Sequence, residues 1–139
     1  MPETLGAQSK PLTRKETREL DVMLSFVEGL VRRDPHYVEA LQMLGDLYAR
    51  RGKYDHSLQV DLQLSRLQPG DPLAFYNLAC SHSLNGELDQ AVAALEQALT
   101  LGYRDFNWLA RDPDLHALRQ HPLYRTVEGR IRKLKVEIT

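Results

Sequence analysis

The sequence predicts an all-α chain of stacked antiparallel helix pairs, and three observations carry that prediction. From Thr13 onward apolar residues fall at helical spacing almost without interruption. No stretch alternates in the two-residue rhythm of a strand. A 34-residue pattern also occurs twice: "LQMLGDLYARRGKYDHS" (41–57) is echoed by "FYNLACSHSLNGELDQA" (75–91). Leu44 and Leu78, Gly52 and Gly86, Asp55 and Asp89, and Ala40 and Ala74 each stand one period apart. Each unit holds a helical stretch, a glycine that can end it, a short turn and a second helical stretch. A period of that length with that content is a repeated helix-turn-helix.

The elements follow in order. Residues 1–12, rich in Pro, Gly, Ser and Gln, read as a flexible tail. A first helix fills 13–34, opened by "TRKE", in which Thr13 caps and Glu16 reaches back as a capping box. Its stripe is Leu20, Met23, Leu24, Val27, Leu30 and Val31, and "RRDP" ends it because a residue before proline leaves helical geometry. Repeat 1 occupies 38–71 and repeat 2 occupies 72–105. Two such units leave apolar faces uncovered, so the flanks must supply capping helices. Downstream, over 106–139, Asp112-Pro113 and His121-Pro122 each read as a cap followed by proline at the first helical position. This places cap helices near 105–111, 113–120 and 122–136.

Composition narrows the function classes. At 139 residues the chain suits a single domain with a real core. A formal net charge of −1 offers no global field for nucleic acid or an anionic membrane. The single cysteine cannot form an internal disulfide, no apolar run approaches a membrane span, and the start lacks a signal-peptide pattern. A cytoplasmic location is the resulting expectation.

At the repeated residues the chain resembles the tetratricopeptide repeat family. Leu41, Leu44, Gly45, Tyr48, Gly52 and Pro69 fill that family's pattern in the first unit. Phe75, Leu78, Ala79, Gly86, Ala91 and Ala98 fill it in the second. Three departures stand out: Ser57 for a small apolar residue, Asp61 for a large apolar one, and Tyr103 for the closing proline. They are expected to loosen the second helix of the first unit. The Trp-Leu, Asp-Pro-Asp-Leu, Leu-Arg and Pro-x-Tyr landmarks after Phe106 resemble the helical cap that closes some tetratricopeptide proteins.

The resemblance implies a concave groove lined by the first helix of each pair. In the first unit it implies Glu39, Gln42, Met43, Asp46, Ala49 and Arg50, and in the second Leu73, Tyr76, Asn77, Cys80, Ser83 and Leu84. Asn107 and Arg111 of the cap join them. Tyr76, Met43 and Leu73 would supply adaptable apolar area, Asn77 a grip on a peptide backbone, and Arg50 and Arg111 bidentate contacts to carboxylates. Chaperone-binding members clamp a C-terminal carboxylate, and here only Asn77 and Arg111 match that set. Gln42, Asp46 and Asn107 hold its other positions, so that mode is disfavoured.

Catalytic, cofactor and metal sites are weighed and set aside. "ACSHS" gathers Cys80, Ser81, His82 and Ser83, yet Cys80 and His82 point about 200° apart on a helix and Ser81 and His82 about 100° apart. His82 falls where the first unit has Tyr48, a packing position, and nothing near Cys80 in sequence would lower its pKa. Asp112, Asp114 and His116 fan around a helix, with Asp112 better used as a cap. His36, His56 and His121 fall at a loop, a turn and a helix start. No HExxH, paired Cys-x-x-Cys, P-loop or GxGxxG is present. The basic "RIRKLK" (130–135) reads as the wet face of a cap helix whose dry side is Val127, Ile131 and Leu134, and Trp108 reads as packing.

The function expected is a non-enzymatic adaptor that holds a peptide or helix of another protein in the concave groove, with no cofactor. A self-associating homo-oligomer is the alternative. A nucleic-acid or acidic-partner role for the basic C-terminal helix is disfavoured, because no aromatic residue interleaves the charges.

Overall fold

A computed structural model describes residues 11–138, apart from the side chain of Ile138. The tail expected over residues 1–12 lies, as far as Lys10, outside the described residues. Helix α1 spans Arg14–Arg33 and starts with the capping box: Thr13 Oγ1 accepts from the Glu16 amide and Glu16 Oε1 from the Thr13 amide, both at 3.1 Å. These two bonds satisfy donors that a helix start otherwise leaves free. Leu20, Leu24 and Val27 are its buried stripe, whereas Met23, expected on the same stripe, is exposed.

Helices α2 (Val38–Arg50) and α3 (Tyr54–Leu67) form the first pair, and α4 (Pro72–Leu84) and α5 (Leu88–Leu101) the second. Gly52 and Gly86 end the first helix of each pair at φ +79° and +76°. The Lys53 amide then donates to the Tyr48 carbonyl at 2.8 Å and the Glu87 amide to the His82 carbonyl at 2.9 Å. Gly102, at φ +115°, closes α5 in the same way, with the Tyr103 amide donating to Ala98. A left-handed residue at this position turns the chain back while occupying the last helical carbonyls. Asp71 caps α4 through a 2.9 Å bond from the Leu73 amide, with Pro72 at the first helical position. Each helix from α1 to α5 packs on the next, which stacks antiparallel pairs in series, and the described residues contain no strand.

Two hydrophobic cores result. One joins α1, α2 and α3 through Leu24, Val27, Leu41, Leu44, Leu47 and Leu64. The other joins the second pair to the segment after it through Leu95, Leu99, Leu109, Leu115, Leu118 and Val127. Between the pairs, α3 meets α4 along a buried polar seam. Ser81 Oγ donates to Asp61 Oδ2 at 2.5 Å, Ser57 Oγ donates to the Gly45 carbonyl at 3.1 Å, and the two serine hydroxyls are 3.5 Å apart. At Gly45 a Cβ would come within 3.4 Å of both Asp61 and Val60, so its bare backbone lets α3 approach. The departures at Ser57 and Asp61 therefore do not loosen α3. They are hydrogen-bonded parts of the contact between repeats.

The chain after α5 folds as α6 (Phe106–Leu109), a 3-10 turn (Pro113–Leu115), α7 (His116–Arg119) and α8 (Tyr124–Ile138). Asp112 caps the 3-10 turn as expected, its Oδ1 accepting from the Asp114 amide at 3.0 Å. At His121-Pro122 the helix begins two residues later than the proline implies. His121 Nδ1 accepts from the Leu123 amide, and i to i+3 bonds carry the chain into Tyr124. A tight turn precedes the helix there.

Alanine at Gly86 must hold a left-handed conformation that costs an L-residue roughly 1–2 kcal/mol. Gly86→Ala is expected to lower unfolding free energy by about that much, read from urea midpoints at unchanged m-value. The side chain itself meets nothing within 4 Å, so the loss is a backbone effect.

Candidate functional site

The inner faces of the first helices are where the repeat architecture builds a concave binding surface, and the two repeats differ sharply there. On α2 the positions Gln42, Met43, Asp46 and Arg50 are all exposed. Met43 stands 48% exposed, and Asp46 lies 4.0 Å from Arg50 one turn on. Desolvation by the surrounding chain pushes the Asp46 carboxyl up while Arg50 pulls it down.

On α4 only Leu73 and Asn77 remain open, with Leu73 at 54% exposure. Tyr76, Cys80 and Ser83, expected to line the groove, are buried, and Tyr76 retains 3% exposure. That expectation is corrected by a physical cause: the 3-10 turn and α7 pack directly on α4 and cover its inner face. Tyr76 Oη donates to Asp112 Oδ2 at 2.6 Å. The Tyr76 ring stacks on Tyr103 at 4.2 Å between centroids and 9° between planes. Cys80 Sγ lies 3.7 Å from the same Asp112 oxygen. The third departure from the repeat pattern, Tyr103, is thus the stacking partner that seats Tyr76. Arg111 and Asn107, both exposed, flank this closed half, with Arg111 Nε donating to the Asn107 carbonyl at 3.2 Å.

A signal for this closure is present in the sequence. From Pro72 to Leu84 helix α4 carries no Asp, Glu, Lys or Arg. A helix without a charged face is one that neighbours cover over most of its surface. The resemblance assigned its inner positions to solvent, and that assignment overrode the composition.

The chemistry of "ACSHS" is packing. Ser81 bonds to Asp61, and His82 Nδ1 lies 3.0 Å from Glu87 Oε1. Burial, and then the charges of Asp112, Asp114 and Asp61, push the Cys80 thiol well above its ordinary pKa. A protonated buried thiol is a poor nucleophile. The donor atoms of Cys80, Asp112 and Asp114 lie within 4.8 Å of one another, a set sequence reasoning did not assemble, while His116 is exposed. Asp112 in that set already accepts from Tyr76, Cys80 and the Asp114 amide, so protein donors fill the role a cation would take. In the basic stretch, Arg130 donates to the Glu96 carbonyl at 2.9 Å and to Thr100 at 2.6 Å, fastening α8 to α5. Trp108 packs against the second core. Among the described residues no helix is long and apolar enough to cross a membrane.

Comparison with known proteins agrees with this geometry. Family models described as tetratricopeptide repeat match residues 40–73 and 73–101. A curated chloroplastic protein from Arabidopsis thaliana is similar to this chain, with 33% identity over 96 residues. That stretch is 67% of this chain and 27% of the other protein, so the chain spans about a quarter of the relative's length.

Two carboxyl groups give the fold a pH signature. Burial pushes Asp61 up to about 6 against the opposing pull of Ser81 and His82. Burial and neighbouring Asp112 push Asp114 up to about 7. A raised carboxyl pKa means that the folded state binds more protons than the unfolded one between the two values. These groups therefore stabilise the fold fully at acid pH, and the contribution is lost as pH rises from about 4 to about 7. Unfolding midpoints are expected to fall across that window and to flatten in Asp61→Asn and Asp114→Asn.

Tyr76→Phe removes the donor to a buried carboxylate. A cost of roughly 1.5–3 kcal/mol is expected. Hydrogen exchange should then quicken first over residues 106–119, the segment the bond holds down.

Proposed function

Residues 40–101 belong to the tetratricopeptide repeat family, a non-catalytic scaffold for protein–protein interaction, and from that premise we propose that this protein binds a segment of another protein on the open half of its concave face. The partner-binding residues in this reading are Gln42, Met43, Asp46 and Arg50 on α2, with Leu73 and Asn77 on the open flank of α4. Arg111 and Asn107 form the rim on the cap side. The supporting observation is the pairing of two exposed apolar side chains, Met43 and Leu73, with an ion pair at Asp46 and Arg50. Apolar anchors beside a few oriented polar groups are the usual make-up of a peptide-binding surface.

The cap limits how much of the groove a partner reaches. Tyr76, Cys80 and Ser83 are occupied by the chain's own 3-10 turn and α7. The partner contact is therefore about one repeat wide, which favours a short segment of modest affinity over a long extended peptide.

Met43→Ser with Leu73→Ser changes only exposed positions and should leave helicity and unfolding midpoint within about 0.5 kcal/mol of the parent. Partner capture from source-cell lysate should fall at least several-fold. An unchanged set of captured proteins would reject this surface.

A further inference from the structure

The N-terminal end of the stack is finished differently from the C-terminal end. In the repeat pattern α1 aligns with α3 and α5, the second helices of their pairs; α3 is packed between α2 and α4, and α5 between α4 and the later helices α7 and α8. Helix α1 has only the one after it, α2, among the described residues. Its outward side carries Val22 at 65% exposure, Phe26 at 64%, and Met23. A cleft on the same side is lined by Leu12, Arg14, Arg18 and Val22 among others.

Among the described residues no helix precedes α1. Arg18 stands one period before Gly52, where a hairpin turn would fall, and α1 runs straight through it as helix.

We infer that this outward face of α1 docks an acidic amphipathic helix from another polypeptide, which takes the place of a first helix in the pair. The charges on the face set its chemistry. Arg14, Lys15, Arg18 and Arg33 are exposed and make no ion pair among the described residues. The acids nearby are mostly spent: Asp21 is bonded to Arg51 at 2.9 Å, and Glu16 caps Thr13. Glu19 alone stands against four cations. An apolar stripe with a cationic rim is complementary to a helix whose own stripe is flanked by Asp and Glu. The antiparallel arrangement of the other pairs adds to this, because it sets the carbonyl end of the docked helix beside Arg14 and Arg18. A second copy of α1 fits poorly, since it brings its own cationic ends to the same rim.

The test uses the full chain and two synthetic helices of about 18 residues, long enough to hold helical structure when capped. Both carry the apolar spacing of α2's buried side, Ala40, Leu41, Leu44, Leu47 and Tyr48; one has Glu and the other Lys at every flanking position. Fluorescence anisotropy should show the Glu peptide binding at least about tenfold more tightly than the Lys peptide, a gap of about 1.4 kcal/mol that shrinks with added salt. Val22→Ser with Phe26→Ser should abolish that binding at unchanged helicity, and Arg14→Glu with Arg18→Glu should reverse the preference. Equal binding of both peptides, binding of neither, or indifference to the serine variant would overturn the inference. So would a dimer by sedimentation that the serine variant dissociates, which assigns the face to a second copy. Flotation with phosphatidylglycerol vesicles that the same variant abolishes would assign it to a membrane.

Discussion

The hydrogen bond from Tyr76 to Asp112 decides what kind of binding protein this is. It joins residues 36 positions apart and crosses from the inner face of α4 to the turn after α6. A phenol donor buried against a carboxylate is favourable only while both stay together, because separating them leaves an unpaired buried acceptor. The stack of Tyr76 on Tyr103 and the contact from Cys80 to the same carboxylate make the closed arrangement mutually supporting. The inner face of α4 is thus committed to the chain's own cap, and the exposed inner-face area is left to α2 and the margin of α4.

The second constraint lies between the repeats. Solenoid repeats usually meet through apolar side chains, yet here the centre of the α3–α4 contact is Ser57, Asp61 and Ser81, with the bare backbone of Gly45 opposite. A buried carboxylate bonded to a hydroxyl holds register well, since sliding by one residue strands it, but it adds little net stability once its desolvation is counted. The two hydrophobic cores sit on either side of this seam. Protonation of Asp61 removes a buried charge without removing the hydrogen bond donor across from it, so the seam shares the pH dependence with Asp114 in the 3-10 turn.

Local features of this fold were legible in the sequence, and long-range ones were not. The capping box at Thr13 and Glu16, the glycine turns at Gly52 and Gly86 and the cap at Asp112 each depend on residues within five positions of one another. Spacing fixes such features directly. The inward turn of Tyr76 depends on a segment beyond the repeat, so its repeat position alone placed it wrongly on an open groove. Ser57, Asp61 and Tyr103 looked like defects for the same reason: Asp61 meets Ser81 from 20 positions away, Ser57 meets Gly45 from 12, and Tyr103 meets Tyr76 from the far side of a helix pair. The uncharged surface of α4 was the one sequence-level hint of the closure.

The two ends of the stack now have opposite characters, and the open surfaces share one core. At the C-terminal end Val127 is buried and Arg130 is tied to α5, so α8 is fastened over the second core. At the N-terminal end α1 is held, among the described residues, by its buried stripe and by two side-chain links to α2 and its C-cap: Tyr48 Oη donates to Glu28 at 2.6 Å, and Arg51 Nε to Asp21 at 2.9 Å. Those links place the outward face of α1 and the open positions of α2 on a single packed unit, separated by roughly one helix diameter. Helices packed at native density do not shift independently. A helix docked on α1 would order the same core that presents Met43 and Arg50, and a segment held by α2 would in turn steady α1. Coupling between the α1 face and the α2 positions would run through Leu24, Val27, Leu41 and Leu44 together with the two side-chain links.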